Sequence, residues 1–143
     1  MSQLVREHFE PVRLNAISQS DLYQKAAGRF DVNWTPTVLV LDADGKERHR
    51  LAGYLPPPSF ASQLLLGLGQ AAFAAKRFDE AEKHFRQVLE RFPNVPEAAE
   101  ALYWAGVSKY KATGDAAALK ATAQRFNDMY QDSTWATKAS VWK

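Results

Sequence analysis

The chain is expected to begin as α/β and finish as all-α, and three features of its 143 residues predict this. Up to Leu55 the apolar residues alternate with polar ones or form a short unbroken run closed by an Asp-Gly turn, the patterns of strands. From Ser59 onward they recur at helical spacing. At the join stand Pro56, Pro57 and Pro58, which a helix accepts before it or in its first turn and not deeper.

Taken in order, Ser2 is a candidate cap for a short helix with Leu4, Val5 and Phe9 on its apolar face, closed before Pro11. Val12, Leu14 and Ala16 alternate with Arg13 and Asn15, as in a half-buried strand. Ser20 and Asp21 offer caps for a helix through Leu22, Tyr23, Ala26, Ala27 and Phe30, ending near Gly28 to Asp31. Thr37 to Leu41 is an unbroken apolar run, expected in a strand covered on both faces. Asp44-Gly45 is a two-residue hairpin signal, and Glu47 to Leu55 returns as the antiparallel partner, its Arg48, His49 and Arg50 suited to an edge. The long helix from Ser59 to Ala75, with Ser59 or Ser62 as cap, carries Leu64, Leu65, Leu68, Ala71, Ala72 and Ala75 on its apolar positions. Gly67 and Gly69 inside it cost about 1 kcal/mol each relative to alanine, which close approach of a second helix would offset.

The stretch Phe30 to Thr37 carries the first specific resemblance. A helix ending F-x-V-x-x-x-P-T, an apolar strand, a D-x-D-G turn, a strand ending R-x-x-G-Y-L and a closing helix resemble the C-terminal part of a thioredoxin fold. The resemblance covers residues 2–70 and is most specific from Phe30 to Leu55. It implies that Pro36 is cis and that the backbone before it, at Trp34 and Thr35, pairs with an extended peptide. The family's first core strand and its C-x-x-C motif are absent from this chain. The sheet therefore lacks its central strand. Either Val12 to Ala16 crosses to pair with Val38 to Leu41, or a second chain fills the gap.

A self-similarity follows. Leu68-Gly69 recurs as Ala105-Gly106 and Ala81 as Ala118, both 37 residues on. Leu68-Gly69, Ala81, Phe85 and Pro93 resemble the tetratricopeptide repeat. In that resemblance small residues at Gly69 and Ala81 let two helices pack, Phe85 fills the groove and Pro93 stops the second helix. The second copy keeps Leu102, Gly106 and Ala118 but has Thr122 where the family has a bulky residue. Gln131 to Ala136 reads as the start of a third repeat or a cap. The linking F-P-N-x-P-E-A-A-E-A-L-Y is similar to repeats of bacterial envelope and assembly proteins. The expected division is a truncated thioredoxin-like segment over residues 1–62 and a helical array over 59–143, two repeats plus a capping helix, sharing the helix from about 59 to 75. Two repeats fall short of the roughly three a free-standing array needs, so the α/β half serves as the missing cap.

Composition narrows the function. With no cysteine there is no disulfide, thiolate metal site or cysteine nucleophile. His8, His49 and His84 are too scattered to suggest a metal cluster, and no cofactor is expected. A net charge of +2 is too small to imply nucleic acid, and no apolar run is long enough to span a bilayer. The N-terminus has no secretory signal, which as written implies the cytoplasm, or the periplasm if an upstream segment exists. Gly67-Leu68-Gly69-Gln70-Ala71-Ala72 matches a dinucleotide fingerprint by letter but lacks the preceding strand. Asp42-Ala43-Asp44-Gly45 resembles a calcium loop but has no glutamate at its twelfth position, Gly53. Asn33-Trp34-Thr35 is a glycosylation sequon by letter only.

What remains is binding. Trp34 is read either as filling the void of the absent strand or as contacting a partner. Gln63, Gln70, Phe73, Tyr103, Val107, Tyr110 and Lys111 take positions that the resemblance places on a concave groove; Phe73 and Val107 are read as packing, the others as ligand contacts. Leu66 and Gln70 do not reproduce the Lys and Asn pair with which some relatives hold a C-terminal carboxylate, so no such clamp is expected. Trp135 and Trp142 are expected to seal the last helix or dock a neighbour. The leading expectation is a non-catalytic module that holds a protein or peptide partner or dimerises with its own copy. The alternative is the rear part of a thiol-disulfide oxidoreductase whose C-x-x-C segment lies upstream or on another chain.

Overall fold

The computed structural model describes residues 2–143; the side chain of Ser2, read above as a cap, lies outside what is described. In chain order the elements are α1 (Ser2–His8), α2 (Ser20–Phe30), β1 (Thr37–Leu41), β2 (Glu47–Ala52), α3 (Pro57–Ala74), α4 (Phe78–Arg91), α5 (Ala98–Thr113), α6 (Ala117–Asp128), α7 (Thr134–Ala139) and a closing 3-10 turn (Ser140–Trp142). An α/β start thus leads into an all-α remainder. Prolines hold the first turn of α3, where no backbone donor is missed. Neither Ser59 nor Ser62 caps it: both are buried, and the Ser62 hydroxyl donates to the Pro58 carbonyl at 2.8 Å.

α3 is packed from both sides, and its two glycines show how. A Cβ on Gly69 would collide with the ring of Phe85 on α4, within 2.6 Å of its Cζ. This is the helix approach the sequence predicts. A Cβ on Gly67 would instead lie 2.6 Å from Val40 Cγ2 and 3.3 Å from His49 Cβ, so this glycine admits the hairpin and not a helix. One core runs through the join: Leu64, Leu65 and Leu66 of α3 meet Leu4, Val40, Phe85, Val88 and Ala101, with Val5, Phe9 and Val38 packed on it.

The second repeat unit follows the first with one change. Gly106 of α5 faces Thr122 of α6, and a Cβ there would stand 2.8 Å from Thr122 Cβ. Thr122 takes the place of Phe85, 16 residues after its glycine in each copy, and its hydroxyl donates to Ala118 O at 2.8 Å. A threonine suffices because α6 approaches more closely than an aromatic ring would allow. α7 is capped by Ser133, whose hydroxyl accepts from Ala136 N–H at 3.1 Å. Trp142 stacks on Tyr103 with centroids 4.8 Å apart, and Trp135 lies 5.2 Å from the same ring. Both tryptophans seal the end.

The α/β half departs further from expectation. Val12 to Ala16 forms no strand: Val12 is 85% exposed, and among the described residues the only sheet is the pair β1–β2. Asn15 ends any extension there, because its side chain accepts from the N–H groups of Ile17 and Ser18 and folds the chain into a turn. α2 forms where predicted and stops at Asp31 in the left-handed region, but its N-cap is Gln19 without a side-chain bond, not Ser20 or Asp21. It buries no residue. The strand β1 is accordingly covered unevenly: Val40 is buried against α3, while on the other face Thr37 and Leu39 are half-buried and Leu41 is 39% exposed. The turn is longer than two residues. Asp42 N–H donates to Lys46 O and Gly45 N–H to Asp42 O, with only Gly45 at positive φ, whereas a two-residue turn of the predicted type needs two such residues. Strand β2 ends at Ala52, before Gly53 at φ +87° and short of Leu55.

α1 docks on the first repeat unit through an edge contact between His8 and His84, centroids 5.6 Å apart. His84 is 5% exposed, and burial holds its imidazole below the ordinary 6.5, with Gln87 and Glu80 opposing and His8 reinforcing. The unfolded chain takes up this proton at a higher pH than the fold does. Stability from this site is therefore full above about 6.5 and is lost as pH falls through the lowered value. Urea melts at descending pH are expected to show that slope, and His84→Gln to flatten it.

Candidate functional site

Two surfaces hold the residues that the sequence singles out. The first is the outer edge of β1. The Gly53 N–H donates to the Pro36 carbonyl at 2.7 Å, which sets the ladder register continued by Val38 opposite Leu51 and Val40 opposite His49. In an antiparallel pair such residues turn their backbone groups toward the partner, so those of Thr37, Leu39 and Leu41 face the other edge. No strand pairs with that edge among the described residues.

The chain leading into this edge is also uncovered. The Thr35–Pro36 bond is cis, and the Thr37 hydroxyl donates to Trp34 O at 2.6 Å. Thr35 and Pro36 are exposed, and Trp34 is 68% exposed, so it does not fill the void of the absent strand. Val12, Ile17, Leu22 and Tyr54 are exposed in the same half of the chain. α2 is tied down at its C-terminal end, where Arg50 donates to the carbonyls of Phe30 and Asp31. Arg50 is also paired with Glu47 at 2.7 Å, and Arg48 with Asp42 at 2.8 Å. The Asp42 carboxylate accepts from Lys46 and Asp44 N–H besides Arg48, which holds its pKa below the usual value. Its oxygens are used within the turn, and no metal is needed to explain them.

The second surface lies on α3, α5 and α7. Gln63 does not stand free for a ligand: its carbonyl oxygen is 2.5 Å from His49 Nε2 and its amide donates to Glu97 Oε1 at 3.4 Å, linking the hairpin to α5. Gln70 is half-buried on α3 and Phe73 packs on the core. Tyr103 is enclosed by Trp104, Trp135 and Trp142, so it packs and does not project. Tyr110 is half-buried and Lys111 exposed, three and four residues beyond Val107 on the same helix.

Sequence reasoning passed over His49, Glu97, Glu100 and Trp104 here. The 37-residue period held a signal for two of them: Trp104 repeats the position of Gly67, and Glu100 that of Gln63. Where the hairpin presses on α3 the position must be glycine; where no hairpin follows, a tryptophan fits.

Residues 2–67 match the family model of a thioredoxin-like domain, and residues 62–105 match that of a tetratricopeptide repeat. The chain carries a thioredoxin-like domain followed by a tetratricopeptide repeat. The two matches overlap at residues 62–67, inside α3 and ending on the glycine that admits the hairpin. No curated protein and no solved structure matches the chain. The thioredoxin-like domain has no cysteine, so it offers no thiol for redox catalysis. The G-x-G-x-x-A letters of its last helix lie wholly within α3, where Gly69 serves the packing of the repeat. No helix among the described residues is long and apolar enough to cross a membrane.

Proposed function

We propose that the protein is a non-catalytic interaction module whose thioredoxin-like half binds an extended segment of a protein partner along β1, and that a second copy of the chain supplies that segment in a homodimer. The observation that carries this reading is the unpaired edge of β1 next to exposed Trp34, Thr35 and Pro36. Unpaired strand edges template the addition of another strand, and main-chain hydrogen bonds give such contacts their affinity. Val12, Ile17, Leu22 and Tyr54 are also exposed in this half and leave apolar surface that a partner could cover. The repeat unit supports it too, as a rigid platform to which the half-sheet is fastened through Gly67.

Light scattering across a dilution series, with hydrogen exchange on the same samples, tests this. The expected result is a dimer that dissociates on dilution, with the Thr37, Leu39 and Leu41 amides protected only in the dimer. Leu39→Pro removes one outward donor while keeping the β1–β2 ladder and is expected to weaken association at least about 10-fold. A monomer at every concentration overturns self-association through this edge.

A further inference from the structure

Between α1 and the turn at Asn15 the chain runs outside any helix or strand, yet Val12 and Leu14 alternate with Arg13 and Asn15 as in a half-buried strand. In an extended segment residues 12 and 14 turn their backbone groups to one edge, and residues 11, 13 and 15 to the other. The second edge is spoilt for pairing. Pro11 has no N–H, and at Asn15 the N–H donates to Gln19 Oε1 at 3.0 Å while the carbonyl accepts from Gln19 N–H at 3.0 Å. The first edge is intact: the backbone groups of Val12 and Leu14 have no hydrogen-bond partner among the described residues. Val12 is also 85% exposed. β1 offers the complementary edge, because the backbone groups of Thr37, Leu39 and Leu41 face its unpaired side. Within one chain the two stay apart, since among the described residues β1 pairs with β2 alone.

We propose that the segment laid along β1 in the homodimer is Val12–Leu14 of the second copy, antiparallel, with Leu14 opposite Leu39 and Val12 opposite Leu41. This rests on the reading that the chain self-associates through β1, and it names the strand that each copy lends. In that register each pair exchanges both of its backbone hydrogen bonds, while Pro11 and Asn15, which have no free donor, face away from the joint. Residues directly opposite one another share a face, so Val12 and Leu14 lie beside Leu41 and Leu39 on the side away from Val40 and α3, as apolar cross-strand pairs. The antiparallel direction is the one that brings Val12 to Leu41, which is 39% exposed; the parallel one sets it near Thr37 instead. A chain that carries both an open edge and the strand to fill it is self-complementary, so a two-fold axis makes the exchange twice and leaves neither β1 open. Pairing β1 with the β1 of a second copy would leave the 12–14 segment uncovered.

The chain has no cysteine, so introduced thiols report the pairing without background. Full chains carrying Leu14→Cys and Leu39→Cys, each native by circular dichroism, are mixed and oxidised in air. Residues directly opposite in an antiparallel pair have Cα atoms about 5.5 Å apart, within the span of a disulfide. The disulfide between positions 14 and 39 is expected to form at least about 10-fold faster than either chain links to itself. In light scattering Val12→Asp should weaken the dimer about 10-fold, whereas Ile17→Asp, beyond the Asn15 turn and 92% exposed, should leave it unchanged. A dimer that links through Leu39→Cys alone, that lacks the 14–39 disulfide, or that responds alike to Val12→Asp and Ile17→Asp overturns the Val12–Leu14 assignment and leaves self-association through β1 standing. A monomer at every concentration overturns both.

Discussion

Phe85→Ala is expected to cost about 4 kcal/mol of folding stability, a large part of the roughly 5 to 15 kcal/mol that holds a domain together. Its ring is fully buried and lies directly on the backbone of Gly69, so no neighbouring side chain stands ready to close the space it would leave. The reciprocal change tests the same contact. Gly69→Ala should gain about 1 kcal/mol of helix propensity and still be net destabilising, because the new Cβ overlaps a ring that the core holds on every side. In urea melts both variants should lower the midpoint of the whole protein. Two-state loss is expected because α3, Phe85 and Val88 share one core with Leu4 and Val40. A midpoint within error of wild type for Phe85→Ala would show that this contact does not join the two halves of the core.

Gly67→Leu is expected to act on the other side of the same helix. Its side chain must displace Val40, a stiff β-branched residue, and the backbone-near Cβ of His49, which lies 3.3 Å from the position a Cβ would take. The cost, about 3 kcal/mol by the usual scale of overpacking, falls on the docking of the hairpin. Hydrogen exchange should show the β1 and β2 amides exposed while those of α4, α5 and α6 keep their protection. With the hairpin detached, His49 also leaves Gln63. Uniform loss of protection across hairpin and helices would show that the repeat unit cannot stand without its α/β cap.

These two glycines mark how far the chain could be read without its structure. That Gly67 and Gly69 must admit something was legible, since a helix does not otherwise keep two glycines among leucines. What each admits was not. Gly69 faces a residue 16 positions on, inside a recurring local pattern; Gly67 faces Val40 and His49, whose approach depends on how the hairpin is laid across α3. The thioredoxin-like and tetratricopeptide resemblances were legible for the same local reason, because turn, proline and small-residue spacings are properties of contiguous sequence. The groove residues were read less well. Tyr103 and Gln63 are drawn into contacts with Trp142 and His49, from elements distant in sequence, while Glu97, Glu100 and Trp104 drew no attention because their neighbours come from three different helices and a strand.

The sequence by itself determined the helices from Pro57 onward, the hairpin, the absence of a redox thiol and the small-residue sites where elements must meet. Periodicity, proline and glycine act over a few residues, and their consequences need no distant partner. Only the tertiary structure decided that Val12 to Ala16 is not a strand, that α2 buries nothing and that one edge of β1 is left unpaired. A strand exists only when a neighbour accepts its hydrogen bonds, and an amphipathic helix is covered only when a surface is there to receive it. Both conditions are set by chain segments beyond the pattern itself.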